Sequence, residues 1–176
     1  MAWWLTIYCR RPVSALAPEL LLAGIQGRDA EALAGVDYWT LAEQLGIEDE
    51  AVVDAALDVL RVRGDEELGL RSGCEICYRP EIDARPIVLH CWSDPARVAE
   101  ELAEAEESRS PPPGALPRLR ASTEVIGIEL GFSQLEDMGL VIAYEIARWL
   151  AQRGDGLVVD DDAQWMVVEG GAWVGS

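Results

Sequence analysis

Residues 133–160 read SQLEDMGLVIAYEIARWLAQRGDGLVVD, and this stretch decides the fold class. Ser133-Gln134-Leu135-Glu136 has the Ser-x-x-Glu pattern of a capping box, which satisfies free backbone N–H groups at a helix start. Leu135, Met138, Ile142, Ile146 and Trp149 then recur at helical spacing, so one apolar face runs to about Arg153. Gly154 and Gly156 are helix stops. Leu157-Val158-Val159 is short and apolar, as a buried strand requires, and Gln164 to Val168 returns beside it. A long amphipathic helix feeding a strand pair is a helix-on-sheet unit.

Upstream, the same rules extend the sheet. Trp3 to Arg10 is a run of bulky and β-branched residues and reads as a strand. Ser14 to Gly24 reads as a helix on Leu16, Leu20 and Leu21. Thr40-Leu41-Ala42-Glu43 is another capping box, stopped at Gly46, and a helix follows from about Glu48 to Arg61. A short strand is expected at Leu68 to Leu70. Cys74–Arg79 and Pro86–Trp92 read as a hairpin, and Asp94-Pro95 opens an acidic helix to about Ser108. A Pro-rich loop covers residues 109–120, and Ser122–Leu130 is a strand. The expectation is a single α+β domain over residues 1–176. It is a sandwich with a mostly antiparallel sheet and helices packed on one face. Its core is a ferredoxin-like βαββαβ unit with a C-terminal αββ extension.

Charge constrains function more than any motif does. The 176 residues hold 32 Asp and Glu against 14 basic residues, all arginine, for a net charge of -18. A chain so poor in cations cannot neutralise the phosphates of nucleic acid, and an anionic membrane surface repels it. A basic partner is attracted instead. The apolar residues near the N-terminus precede Arg10 and Arg11, the reverse of a secretory signal. No apolar run approaches the roughly 18 residues of a membrane span. Four cysteines are too sparse for a disulfide scaffold, so a cytoplasmic protein is expected.

Four local patterns invite chemistry. Leu41 to Ile47, with the helix after it, resembles a helix-turn-helix, but Glu48, Asp49, Glu50, Asp54 and Asp58 would repel DNA. Cys74-Glu75-Ile76-Cys77 with His90-Cys91 has zinc-ligand residue types and spacing. Residues three apart on a strand point to opposite faces, however, and buried structural thiols need no metal. His90, the only histidine, lies in an apolar strand and reads as structural. Asp160-Asp161-Asp162 follows a strand; three carboxylates there suit a divalent cation, a solvated turn or an anchor for a cationic partner.

Glu100, Glu104 and Glu107 share one helix face, with Glu101 beside them. Trp165 lies close to the three aspartates, and aromatic anchors with acidic rims are features of tight interfaces. Glu100, Glu101, Glu104, Asp160, Asp161, Asp162 and Trp165 are therefore the candidate partner contacts. No metal, cofactor or catalytic group is assigned.

The acidic composition, the small α+β layout and the run from Leu135 through Gly154-Asp155-Gly156 to Asp160 resemble the immunity proteins of bacterial polymorphic toxin systems. That resemblance implies inhibition of a cognate basic toxin, a nuclease being the natural case, by blockade of its active site. Two other readings stay open. One is a small metal-dependent enzyme using Asp160–Asp162. The other is a regulatory or adaptor domain built on the helix-turn-helix-like hairpin, which exposed apolar surface on residues 48–60 would favour.

Overall fold

The bulky N-terminal run forms β1 (Ala2–Cys9), and seven further strands join it in one sheet in the computed structural model, which describes residues 2–27, 38–81 and 84–175. The order along the chain is β1, α1 (Pro18–Ile25), α2 (Tyr38–Gln44), α3 (Glu50–Asp58), β2 (Arg61–Gly64), β3 (Cys74–Cys77) and β4 (Ile87–Trp92). Then come α4 (Pro95–Ser108), α5 (Leu116–Arg120), β5 (Glu124–Gly131), α6 (Met138–Gly154), β6 (Gly156–Asp160), β7 (Trp165–Glu169) and β8 (Ala172–Gly175). In space the strands run β2-β3-β4-β5-β1-β6-β7-β8, every neighbouring pair antiparallel. The protein is thus mixed α+β with an antiparallel sheet, as the periodicities require.

The helices lie on both faces of the sheet, which corrects the one-face expectation. Leu5, Ile7, Cys9, Ile126 and Ile128 point to one face, where Leu21, Ile25, Ala42, Val53, Ile142 and Ile146 from α1, α2, α3 and α6 cover them. Tyr8, Val125, Leu157 and Val159 point to the other, under Val98 and Ala105 of α4 and Leu119 of α5. The physical cause is that central strands alternate sides, and β1, β5 and β6 are apolar on both. Two-sided apolar strands cannot leave one face to water.

The strand order also departs from a ferredoxin-like unit, whose first strand lies between the third and fourth. Here β5 pairs with both β4 and β1 and separates them. The acidic helix between β4 and β5 is therefore an excursion between antiparallel neighbours, and its amphipathic face settles on the nearer open side of the sheet.

Local differences have local causes. Pro18 at the first helical turn sets the start of α1, later than the expected Ser14. Ser14 is instead drawn to Glu124: its N–H and hydroxyl donate to the carboxylate at 2.9 and 2.5 Å. The strand expected at Leu68–Leu70 is replaced by a 3₁₀ turn at Gly69–Ser72, and β2 lies earlier, paired with β3. The Pro-rich segment is not wholly loop, since its end winds into α5. Helix α6 starts at Met138, with Asp137 accepting from the Gly139 N–H at 2.7 Å. Gln134 turns inward, accepts from the Gly131 N–H at 2.7 Å, and is buried. The left-handed residue that ends α6 is Asp155 (φ 49°), held by Arg10 and Arg118, rather than a glycine. Gly154 is small for another reason: a Cβ there would meet Cys9 Sγ at 2.6 Å. Among the described residues no helix is long and apolar enough to cross a membrane.

Candidate functional site

The candidate contacts fall into two groups with different fates. On α4, Asp94 caps the helix by accepting from the Ala96 and Arg97 N–H groups at 3.1 and 3.0 Å. The buried side of the helix is Val98 and Ala105, so Glu100 and Glu104 are forced outward. Arg97 pairs with Glu100 at 3.1 Å and also contacts Glu101. Arg120 of α5 holds Glu106 with two bonds of 2.9 and 2.8 Å, and this lowers the Glu106 carboxyl below its ordinary range. Glu104 and Glu107 are exposed and belong to no ion pair among the described residues.

The aspartate triplet diverges. Asp160 is only 4 % exposed; it accepts from the Gln164 N–H at 2.8 Å and from Tyr144 Oη at 3.4 Å. Burial, and next the Asp160 charge, push the Tyr144 phenol up to about 12. Asp161 lies outside and accepts from the Trp4 N–H at 3.0 Å. Asp162 is exposed in the turn. The first carboxylate builds the turn, the second ties it to β1, and the third faces water. Consecutive residues at a strand end splay for the same reason that strand side chains alternate. Among the described residues no group of three or more His, Cys, Asp or Glu converges as cation ligands. The site that the metal-dependent reading needs is therefore not assembled from these three.

Trp165 is a core residue, 7 % exposed, and not a surface anchor. Its indole N–H donates to the Arg109 carbonyl at 3.0 Å, and its ring stacks on Tyr8 at 6.0 Å. It fastens β7 beneath the loop that follows α4.

The cysteine–histidine set is divided by the sheet. Cys74 faces the α6 side and neighbours Leu89, whereas Cys77 is on the other side and accepts from Arg63 at 3.0 Å. Cys91 and His90 are adjacent on β4 and so point to opposite faces as well. Burial raises the Cys74 and Cys91 thiols to about 12, as expected of structural thiols. Two ligands on each side of a sheet cannot share one zinc ion.

Sequence reasoning missed the surroundings of His90. On the α4 side of the sheet, at the rim of the cluster under α4 and α5 on which Trp92 packs, His90 sits between Trp4 and Trp92 at 5.2 and 5.9 Å between ring centres. Gly127 makes room for this stack; a Cβ there would lie 2.9 Å from both indoles. His90 Nε2 is 3.0 Å from Glu129, whose other oxygen accepts from Arg85 at 2.6 Å. Arg97 lies over the Trp92 ring at 5.9 Å. Each charge in the row is already matched, and Cys91, the adjacent thiol, points away. The signal was available in the alternation of β4, which places His90 and Trp92 together.

The helix pair resembling a helix-turn-helix does form, as α2 and α3. Asp49 caps α3, accepting from the Ala51 N–H at 2.9 Å. Glu48, Glu50, Asp54 and Asp58 are exposed, and none is in an ion pair among the described residues. That surface repels phosphate. Apolar Val52 (44 % exposed) and Leu45 (41 %) stand among those carboxylates.

No protein-family model, curated protein or solved structure matches the chain.

Proposed function

We propose that this protein is a non-catalytic binder that neutralises a basic partner, in the manner of an immunity protein acting on a cognate basic toxin. The observation that carries the reading is the fate of the charges. Eight of the fourteen arginines are neutralised within the molecule by ion pairs: Arg10 and Arg118 on Asp155, Arg63 on Glu75, Arg79 on Asp137, Arg85 on Glu129, Arg97 on α4, Arg120 on Glu106 and Arg148 on Glu145. By contrast, Glu50, Asp54 and Asp58 on α3 and Glu104 and Glu107 on α4 stand outward in no ion pair among the described residues. An unscreened excess of negative charge opposes the compact state, and a cationic partner removes that penalty on binding. A toxin that acts on nucleic acid is basic by necessity, so a nuclease is the natural class. The acidic face steers it in, blocks its active site and competes with its phosphate substrate. A cytoplasmic site of action belongs to the same proposal.

The test is affinity capture from the native host lysate, washed at low and then moderate salt. One basic protein, retained in equal amount, encoded beside this chain and toxic when expressed without it, is the expected result. An empty column at both salts refutes the reading.

A further inference from the structure

A groove of about 600 Å³ opens between α3 and the strand-to-helix walls opposite it, with Val52, Ala55 and Val59 on one side and Tyr78, Pro80 and Met138 on the other. Its floor is set by the core: Tyr78 and Met138 are buried in the main cluster, as are Val53 and Ala56 of α3. The far wall is rigid. Tyr78 Oη donates to Asp137 at 2.9 Å, and Asp137 also caps α6. The one cation on that wall, Arg79, is engaged by the same Asp137.

We propose that this groove is the docking site for the cationic partner, and that it takes an amphipathic basic segment, with apolar side chains at helical spacing in the groove and Lys or Arg along its rim. The site rests on the basic-partner reading above and localises it.

Three observations select that occupant. First, Asp58 lines the groove and Asp54 lies one turn before it, both exposed and in no ion pair among the described residues. Second, Asp58 stands in the last turn of α3, which holds no basic residue. A carboxylate there meets the negative end of the helix dipole and is unfavourable. Arg61 reaches the Val59 carbonyl at 3.3 Å and the Arg79 carbonyl at 3.5 Å but forms no ion pair with Asp58, which leaves that carboxylate available to an external cation. Third, among the described residues no buried polar atom without a partner lies in the groove; those found are Arg118 Nε, Gln152 Nε2 and Trp173 Nε1. The Tyr78 hydroxyl, Arg79 and Asp137 on the far wall bond to one another, so apart from Asp58 the groove offers an occupant mainly apolar surface. A second copy of the chain is disfavoured by charge, since it would set one acidic rim against another at -18 each.

Val52 provides a test that separates insertion from simple attraction. It is the third helical residue of α3, after the Asp49 cap. Val52→Glu adds a negative charge at a position where Glu favours the helix, so the fold is retained. Plain electrostatics predicts tighter binding of a cation, and groove insertion predicts weaker binding.

The probes are two synthetic peptides of roughly 14 residues, about four helical turns, one of Leu and Lys in amphipathic order and one of Ser and Lys with equal charge. Calorimetric titration at low salt is expected to show binding of the Leu/Lys peptide well above the Ser/Lys peptide. Val52→Glu is expected to weaken the Leu/Lys peptide by about tenfold, while Glu169→Gln, an exposed carboxylate on β7 towards the opposite edge of the sheet, changes it by less than about twofold. If Val52→Glu binds equally or more tightly, the groove is overturned and the acidic-binder reading stands. If neither peptide binds the unaltered protein, both are overturned.

Discussion

Replacing Glu124 by Ala should be among the most damaging single changes in this protein. Glu124 opens β5 and is only 6 % exposed. Its carboxylate accepts from the Val13 N–H at 2.7 Å, the Ser14 N–H at 2.9 Å and the Ser14 hydroxyl at 2.5 Å. These bonds hold the loop that carries the chain from β1 to α1. Truncation strands two backbone donors and a hydroxyl, and each buried polar group left without a partner costs about 1–3 kcal/mol. The neighbouring Arg11, Pro12 and Ala15 are exposed, so water enters part of the vacated space and the total falls below the simple sum. About 3–4 kcal/mol is expected, with about 1–2 kcal/mol for Glu124→Gln, which keeps one acceptor oxygen. At a urea slope of about 2 kcal/mol/M the Ala variant should lower the unfolding midpoint by roughly 1.5–2 M. A Ser14→Ala, Glu124→Ala cycle should show positive coupling, because each change removes the other's partner. The reasoning fails if Glu124→Ala moves the midpoint by less than about 0.5 M.

Two further outcomes follow from the interior. Gly127→Ala should cost about 1–3 kcal/mol by overpacking and shift the tryptophan fluorescence, because the new methyl meets Trp4 and Trp92 at 2.9 Å; unchanged emission and stability would show that the stack is not held there. Burial also pushes the Cys74 and Cys91 thiols and the Tyr8 and Tyr144 phenols up to about 12. In the unfolded chain such groups ionise near 8.5 for thiols and near 10 for phenols. A folded value above the unfolded one gives stability that is whole below the unfolded value and lost as pH rises towards the folded one. The urea midpoint should therefore be lower at about pH 10.5 than at about pH 7, and equal midpoints at the two would contradict the burial of these groups.

The aspartate triplet, the groove beside α3 and the His90 row show why sites were harder to read than elements. Asp160 and Trp165 are adjacent to exposed acids in sequence, and nothing local distinguishes a turn-building aspartate from a contact aspartate. Their roles depend on Tyr144 and Arg109, which only the packed fold brings near. Helical spacing alone groups Val52 with Val53, Ala56, Leu57 and Leu60 in one apolar stripe. Val52 is exposed because α3 is short and packs on Val53 and Ala56 alone among its fully buried residues. Glu124 was read as part of an ordinary strand, and its burial depends on a loop 110 residues away.

Local physics carried far enough to determine the alternation of helix and strand, the antiparallel hairpin of β3 and β4, the long α6 running into β6, and the surplus of negative charge. These depend on side-chain periodicity, capping and composition, all of which act within a few residues. The placement of helices on both faces, the position of β5 between β4 and β1, and the groove beside α3 were decided by tertiary structure. Each depends on which strand pairs with which. Antiparallel pairing between distant segments is settled by burial of both faces at once, a condition that no local window of sequence contains.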